Sequence, residues 1–122
     1  MNKTRILIVD DDPFCSSLLL SILGHDYQVT TINSGFDVID ILGVQCPDFI
    51  FLDIMMPGKN GYQVLKDLKE DPLTQMIPVI IVSALTEESD ENLALRLGAN
   101  GYISKPIIPT EVYAKLKEHL RQ

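Results

Sequence analysis

The residues best suited to chemistry are acids that directly follow two apolar segments of the chain. Three of them, Asp10, Asp11 and Asp12, come after the run ILIV. A fourth, Asp53, comes after the run FIFL. If the two runs are neighbouring parallel strands, these acids meet at one edge of a sheet and repel one another. A hard divalent cation such as Mg²⁺ would offset that repulsion, because it binds carboxylate oxygens and commonly shares them with a phosphate.

Two later residues could complete a site for phosphoryl transfer. Ser83 follows the apolar run VIIV, and Lys105 follows the run GYIS. The Lys105 ammonium could hold the oxygens of an anion, and the Ser83 hydroxyl could donate to them. Asp53 would then be the nucleophile, since a carboxylate is ionised near neutral pH and needs no general base.

Each of these residues also has an ordinary structural interpretation when it is taken alone. Asp12 precedes Pro13 and is expected to cap a helix. A lone serine or Lys-Pro pair after a strand is usually part of a surface turn. Capping does not explain acids at the ends of two neighbouring strands, so the joint placement of Asp10, Asp11 and Asp53 favours a functional site.

Short strand-like segments alternate with helical patterns along the chain, which predicts an α/β fold. Runs 6–9, 49–52 and 79–82 are continuously apolar, as in strands that are covered on both faces of a parallel sheet. Runs 29–32 and 101–104 are mixed in polarity and belong better at the sheet edges. The order predicts one doubly wound, flavodoxin-like (βα)5 domain with a parallel sheet of strand order 2-1-3-4-5. Such sheets bind ligands at the carboxyl ends of their strands, where the acids lie.

The helical patterns are defined by apolar stripes and by capping residues. Asn60 and Ser34 are candidate N-caps, the second of them with Asp37 close to a capping box. Gly24 and Gly98 fall where helices should end. The apolar stripes are, in chain order, Cys15, Leu18, Leu19 and Ile22; Val38, Ile39 and Leu42; Val64, Leu65 and Leu68; Leu93, Ala94, Leu95 and Leu97; and Val112, Leu116 and Leu120.

Composition and charge limit the class of protein. A chain of 122 residues that is 46% hydrophobic and 22% charged fits a single packed domain, here residues 1–122. No apolar run approaches the ~20 residues that cross a bilayer, and the start does not resemble a signal peptide, so we expect a soluble, cytoplasmic protein. The net charge of −7 argues against direct binding to nucleic acid or to an anionic membrane. Cys15 and Cys46 have no metal-site spacing and are expected to be free, buried thiols.

Four segments together resemble the receiver domain of two-component response regulators. They are ILIVDDDP, LDIMMPGKNGY, PVIIVSAL and GANGYISKP, in the family's order and spacing, and the resemblance covers essentially the whole chain. It implies that Asp53 accepts a phosphoryl group from the phosphohistidine of a sensor histidine kinase or a phosphotransfer protein. It also implies a Mg²⁺ site in which Asp11 and Asp53 bind the ion directly and Asp10 binds it through water. The backbone carbonyl of Met55 would be a further ligand.

The same resemblance assigns roles to residues at the later strand ends. Lys105 would contact the phosphoryl group, and the bond between Lys105 and Pro106 would be cis. Ser83 and Tyr102 would form the switch pair, with the hydroxyl drawn towards the phosphoryl group and the aromatic ring moving inward.

A few positions depart from the commonest pattern of the family. Ile107 stands where an aromatic residue is more frequent, and Ser83 where threonine is also common, with the hydroxyl kept. Met55 and Leu85 are apolar at positions that influence loss of the phosphoryl group in similar proteins. We expect slow self-hydrolysis, because neither side chain can orient an attacking water.

By the same resemblance, the output surface is the face formed by the fourth helix, the fifth strand and the fifth helix. Phosphorylation is expected to change how this face pairs with a downstream protein or output domain, or with a second copy in a homodimer. With no linker or second domain in the sequence, the chain is either a stand-alone receiver or the first domain of a longer protein. The charges of the face are divided between its two helices, with acids at Glu87, Glu88, Asp90 and Glu91 and bases at Lys115, Lys117 and Arg121.

Three alternative functions fit the sequence less well. In a haloacid-dehalogenase-type phosphatase, Asp10 and Asp12 would be the catalytic acids, but Phe14 stands where Thr or Val is expected and Asp53 has no role. A flavodoxin-like binding module needs a Ser-, Thr- or Gly-rich phosphate loop after the first strand, where this chain has DDDP. A degenerate receiver that signals without phosphate would not be expected to keep the acceptor, the acids and the lysine intact.

Overall fold

The structure is a computed structural model that describes residues 4–85 and 87–120. All the predicted strands are present, and their bounds differ from the predicted ones by at most one residue at either end. The elements are β1 Arg5–Val9, α1 Pro13–Leu23, β2 Gln28–Ile32, a 3-10 helix Gly35–Asp37, α2 Val38–Val44, β3 Phe49–Leu52, α3 Gly61–Glu70, β4 Val79–Ser83, α4 Glu88–Arg96, β5 Gly101–Ser104 and α5 Pro109–Leu120.

The strands form one parallel sheet in the order β2-β1-β3-β4-β5, as predicted. Val9 pairs with Leu52 across β1 and β3, so the residues that follow these strands, Asp10 and Asp53, lie side by side. The Asp53 amide donates to the Val9 carbonyl at 2.8 Å, which continues the ladder to the acid itself. The ends of β4 and β5 are level in the same way and lead into the same edge.

Helices cover both faces of this sheet, as the continuous apolar runs of the central strands predict. Alternate strand residues point to opposite faces, so Leu7 and Val9 join one core cluster while Ile6 and Ile8 join the other. None of the helices in the described ranges has the length and apolar character of a membrane span. The helix side chains buried against the sheet are Cys15, Leu19, Leu23, Val112 and Leu116 on one face and Val38, Val64, Leu65, Leu68 and Ala94 on the other.

Part of the predicted apolar stripes on α2 and α4 is wrong. Ile39 is 50% exposed, because a helical residue points about 100° away from its neighbour, here the buried Val38. Of the described α4 residues only Ala94 is buried, while Leu93 and Leu95 on either side of it are 37% and 43% exposed. A short helix at the sheet surface therefore buries a narrower stripe than its apolar residues suggest.

The two cysteines differ in their surroundings. Cys15 is free and buried, as predicted, but Cys46 is exposed. Cys46 lies in the connection between α2 and β3, and such connections run over the surface because their backbone needs water. Two predicted residues fall outside what the structure describes, namely the side chain of Leu120 in the last apolar stripe and the whole of the base Arg121.

Capping groups set where the helices begin and end. The Asp12 side chain accepts the N–H two residues further on, at 2.9 Å, and begins α1 as predicted. Asn60 and Gln63 form a reciprocal capping box at the start of α3. Ser34 accepts the N–H two residues further on, at 3.2 Å, and begins the 3-10 helix. Gly98 follows α4 with a φ of +111°, a conformation that favours glycine.

Candidate functional site

Three carboxylates meet at the carboxyl edge of the sheet. Oxygen atoms of Asp10, Asp11 and Asp53 lie within 4.8 Å of one another. Asp10 and Asp53 are buried, with 2% and 3% of their surface exposed, whereas Asp11 is exposed. The structure therefore brings the predicted acids together in a cluster with one side open to solvent.

A lysine lies directly beside this cluster. Lys105 Nζ is 3.1 Å from Asp10 Oδ2 and 3.6 Å from Asp53 Oδ1. The Lys105 backbone N–H donates to the Ser83 carbonyl at 2.8 Å, which fixes the point at which the lysine side chain leaves the end of β5. The peptide bond between Lys105 and Pro106 is cis, as predicted.

Burial and the repulsion between neighbouring carboxylates together set the electrostatics of the cluster. Burial, followed by the nearby Asp10 carboxylate, raises the pKa of Asp53 to about 7, although the Lys105 ammonium opposes this. Burial alone would lower the pKa of Lys105, but its contact with Asp10 and the charge of Asp53 raise that pKa above its usual value. Lys105 is therefore protonated at neutral pH, while Asp53 resists ionisation.

The oxygens of this cluster suit a divalent cation. Asp10 Oδ2 and Asp53 Oδ1 are buried and accept no hydrogen bond from any residue that the structure describes. Their contacts with Lys105 Nζ are ion pairs without hydrogen-bond geometry, and a buried carboxylate oxygen left this way is costly. Carboxylate oxygens are the ligands that Mg²⁺ prefers in proteins, so the donor set fits the ion implied by the resemblance.

Asp12 stands apart from the cluster, as its predicted role as a helix cap requires. Its carboxylate accepts from the Cys15 thiol at 3.3 Å and from the Phe14 N–H at 2.9 Å, and these bonds lower its pKa. The Asp12 backbone N–H donates to Asp10 Oδ1 at 2.9 Å. That bond orients the Asp10 carboxylate and leaves its other oxygen facing Lys105.

The loop between β3 and α3 folds tightly over the end of β3. The Met56 and Gly61 amides both donate to the Ile54 carbonyl, at 3.0 and 2.9 Å. A side chain at Gly61 would collide with the Asp53 carbonyl oxygen, so only glycine allows this approach. Met55 lies in the same loop with its side chain 60% exposed, and the metal-binding role of its carbonyl stays a prediction.

Ser83 and Tyr102 both bind the backbone of Leu85. The Ser83 hydroxyl accepts from the Leu85 N–H at 3.1 Å, and the Tyr102 hydroxyl donates to the Leu85 carbonyl at 2.8 Å. Ser83 is completely buried, and Tyr102 is partly buried against the core. The structure thus places both residues at the connection between β4 and α4, and their role as a switch pair stays a prediction.

Two contacts near the site were missed by reasoning from the sequence. The Tyr62 hydroxyl donates to the Asp90 carbonyl at 3.4 Å and links α3 to the first turn of α4. The Phe36 ring packs on Gly58 in the loop between β3 and α3. Tyr62 lies in the first turn of α3, directly after the loop that follows β3, and this placement is a weak signal for the first contact. Both contacts join segments that are distant in the chain, and no local pattern predicts the second.

The chain matches a known family over most of its length. The family model of the response regulator receiver domain matches residues 6–117. The transcriptional regulatory protein BaeR of Escherichia coli is 38% identical over 122 residues, which cover 99% of this chain and 50% of BaeR. The chain spans about half the length of the first curated relatives that it matches.

Solved structures share the fold at similar identity. A protein of Chloroflexus aurantiacus, described as a response regulator, is 30% identical with a TM-score of 0.93, over 99% of this chain and 100% of that one. The BeF3-activated receiver domain of RstA from Klebsiella pneumoniae is 33% identical with a TM-score of 0.88, over 98% and 100% of the two chains. The chain therefore belongs to the response regulator receiver family, whose members are phosphoacceptor switches in two-component signalling.

Proposed function

We propose that Asp53 accepts a phosphoryl group from the phosphohistidine of a sensor histidine kinase or a phosphotransfer protein. The observation that carries this proposal is the buried Asp53 carboxylate, which lies beside two further carboxylates and the Lys105 ammonium. A nucleophile placed between a cation site and a lysine suits a transferring phosphoryl group, because both positive charges offset the negative charge of its oxygens.

With Mg²⁺ bound beside it, Asp53 would be ionised at neutral pH, because a nearby cation favours the carboxylate, and the transfer would then need no general base. An Asp53 oxygen forms the new bond to phosphorus while the P–N bond of the phosphohistidine breaks and its electron pair returns to the imidazole. Lys105 Nζ, 3.6 Å from Asp53 Oδ1, would bind an oxygen of the transferring group. Asp11, Asp53 and the Met55 carbonyl would hold Mg²⁺ directly, with Asp10 bound through water, and the bound ion would supply positive charge to the phosphoryl oxygens.

The proposed readout begins at the two hydroxyls that bind Leu85. A Ser83 hydroxyl that turns towards the phosphoryl group would give up its bond to the Leu85 N–H, and the Tyr102 ring would follow inward. Leu85 lies in the connection that leads into α4. A shift of this connection would therefore move the face formed by α4, β5 and α5.

The helices of this proposed output face differ in charge. α4 opens with Glu88, Asp90 and Glu91, which also complement the positive end of its helix dipole. α5 carries Lys115 and Lys117 together with the acids Glu111 and Glu118, and Lys115 pairs with Glu118. An acidic helix beside one of mixed charge suits pairing with a downstream protein or output domain, or with a second copy of the chain. BaeR is a transcriptional regulator by its name, and an output of that kind is for this chain a further proposal.

We also propose that the phosphoryl group is lost slowly without a phosphatase. Met55 and Leu85 line one groove, with a volume of about 510 Å³, beside the loop that follows the acceptor. Both side chains are apolar, so neither can orient a water molecule for attack on phosphorus.

Intact mass spectrometry after incubation with acetyl phosphate and Mg²⁺ tests the proposed acceptor. The wild type should gain one phosphoryl adduct, and the adduct should be absent from Asp53→Asn and from samples in EDTA. Asp12→Asn is the matched control, since it makes the same change of side chain in a helix cap outside the cluster, and it should keep the adduct. An unmodified wild-type protein under these conditions would contradict the proposal.

A further inference from the structure

The 3-10 helix Gly35–Asp37 lies directly against the loop between β3 and α3. A Cβ atom on Gly35 would come within 2.5 Å of the Lys59 carbonyl oxygen, and one on Gly58 within 2.7 Å of the Phe36 ring. Carbon atoms do not approach backbone this closely, so the proximity of the two segments requires glycine at position 35. Glycine at position 58 is favoured by its φ of +79° as well as by the ring beside it. Phe36 is 64% exposed, yet atoms of its ring rest on the loop.

Both sides of this contact are anchored elsewhere in the molecule. The Ser34 hydroxyl accepts from the Phe36 N–H at 3.2 Å, and Val38, directly after the 3-10 helix, is buried in the core. On the other side, the Lys59 ammonium pairs with Asp67 of α3 at 2.6 Å. The 3-10 helix is thus a fixed surface on which the loop can rest.

Core packing and inner hydrogen bonds hold the loop only in part. The Met56 and Gly61 amides donate to the Ile54 carbonyl, and the Met56 side chain is buried in the same core cluster as Ile54. Pro57 and Gly58 are exposed, so core packing does not hold residues 57–59, although the Lys59 amide donates to the Pro57 carbonyl at 3.0 Å. The position of residues 57–59, which directly follow Met55 and Met56, therefore depends on their contact with the 3-10 helix.

We propose that Gly35 and Phe36 are positioning residues, which brace the loop between β3 and α3 so that the Met55 carbonyl can bind the metal ion. This inference rests on the proposed Mg²⁺ site and adds two residues that do not touch the ion. Metal ligands are oriented by the groups around them, and loss of such support typically weakens binding about tenfold or more.

The sharpest test compares two glycine-to-alanine substitutions in neighbouring helical segments. Gly35→Ala places a methyl group against the Lys59 carbonyl and should displace the loop. Gly43→Ala in α2 adds the same methyl group where, apart from its chain neighbours and its own helix backbone, no described group lies within 4 Å. Binding of Mn²⁺, which suits the same oxygen ligands, can be followed by EPR. It should weaken about tenfold in Gly35→Ala and stay at the wild-type value in Gly43→Ala.

Substitutions of Phe36 test the contact without adding bulk. Phe36→Ala removes the ring from Gly58 and should also weaken Mn²⁺ binding. Phe36→Leu keeps an apolar contact with the loop and should retain most of the wild-type affinity for Mn²⁺. Val44→Ala is the control, because it truncates another exposed apolar side chain, 82% exposed in α2, and should have no effect.

Phosphorylation by acetyl phosphate separates this role from a general loss of structure. In Gly35→Ala the Mg²⁺ concentration for half-maximal phosphorylation should rise about tenfold, while the extent at saturating Mg²⁺ stays that of the wild type. Should Gly35→Ala fail to fold, Phe36→Ala decides the question, since it alters an exposed side chain.

Wild-type Mn²⁺ affinity in folded Gly35→Ala, or in Phe36→Ala, would overturn the proposed brace. An equal loss of affinity in Gly43→Ala or Val44→Ala would overturn it as well, because those changes lie away from the contact. If the wild type itself takes no phosphoryl group from acetyl phosphate, the proposed function fails, and the Mn²⁺ comparison still reports on the brace.

Discussion

Removing the negative charge of Asp53 should stabilise the metal-free protein. Burial and the neighbouring Asp10 carboxylate raise the pKa of Asp53 from 3.8 to about 7. This difference corresponds to roughly 4 kcal/mol of unfolding free energy, because each pH unit is worth about 1.4 kcal/mol. Asp53→Asn should therefore raise the free energy of unfolding at pH 8 by roughly 2 to 4 kcal/mol. The lower figure allows for screening by water on the exposed side of the cluster.

The stability that Asp53→Asn gains over the wild type should increase with pH. The native pKa of Asp53 lies above its unfolded value, so the native state binds more protons between about pH 4 and pH 7. Wild-type stability therefore falls as the pH rises through that window, and the destabilisation is complete above about pH 7. Asp53→Asn lacks the titrating group, so its advantage over the wild type at pH 5 should be less than about half of that at pH 8.

Urea unfolding followed by circular dichroism, with EDTA present, measures this difference. Asp12→Asn is the control, because the carboxylate of that helix cap has a lowered pKa and its change to an amide should bring no gain. Mg²⁺ should raise the stability of the wild type more than that of Asp53→Asn. Equal gains at pH 5 and pH 8, or no gain at pH 8, would refute the electrostatic reasoning.

Contacts around the site lead to three more expected results. Lys105→Met should tighten Mg²⁺ binding in calorimetry but slow phosphorylation by about a hundredfold, because the ammonium repels the cation and attracts the phosphoryl group. Weaker Mg²⁺ binding in this variant would argue against that account. Asn60→Ala should lower the free energy of unfolding by about 1 kcal/mol, since it breaks the capping box of α3, and an unchanged urea midpoint would show that the box is dispensable. Phosphorylated wild type, separated from acetyl phosphate, should keep its adduct in intact mass spectra for minutes or longer, because Met55 and Leu85 cannot orient water. A half-life of seconds is the contrary outcome.

The strand order and the acidic cluster could be predicted because both depend on local patterns. Continuous apolar runs mark the central strands, and the acids follow those runs directly. A parallel sheet then brings Asp10 and Asp53 together without any further information, since the ends of adjacent strands are level. The same reasoning placed Lys105 at this edge.

Contacts between distant segments could not be predicted in this way. Nothing near Gly35 in the sequence indicates that the Lys59 carbonyl lies against it, because the two residues meet only in the folded chain. The exposure of Ile39 and Cys46 likewise depends on how much of each segment its neighbours cover. The hydrogen bond from the Leu85 N–H to the Ser83 hydroxyl was not predicted either, and the expected movement of that hydroxyl towards a phosphoryl group stays a prediction.

Ser83 and Tyr102 hold Leu85 through its backbone amide and carbonyl. Every residue except proline offers these two groups, so the contact would form with almost any side chain at this position. Under the proposed function, the side chain of residue 85 could then set how long a signal lasts, while its backbone takes part in passing the signal on. Duration and transmission would be encoded separately at one position, and a single substitution there could turn a slow response into a fast one without redesigning the switch.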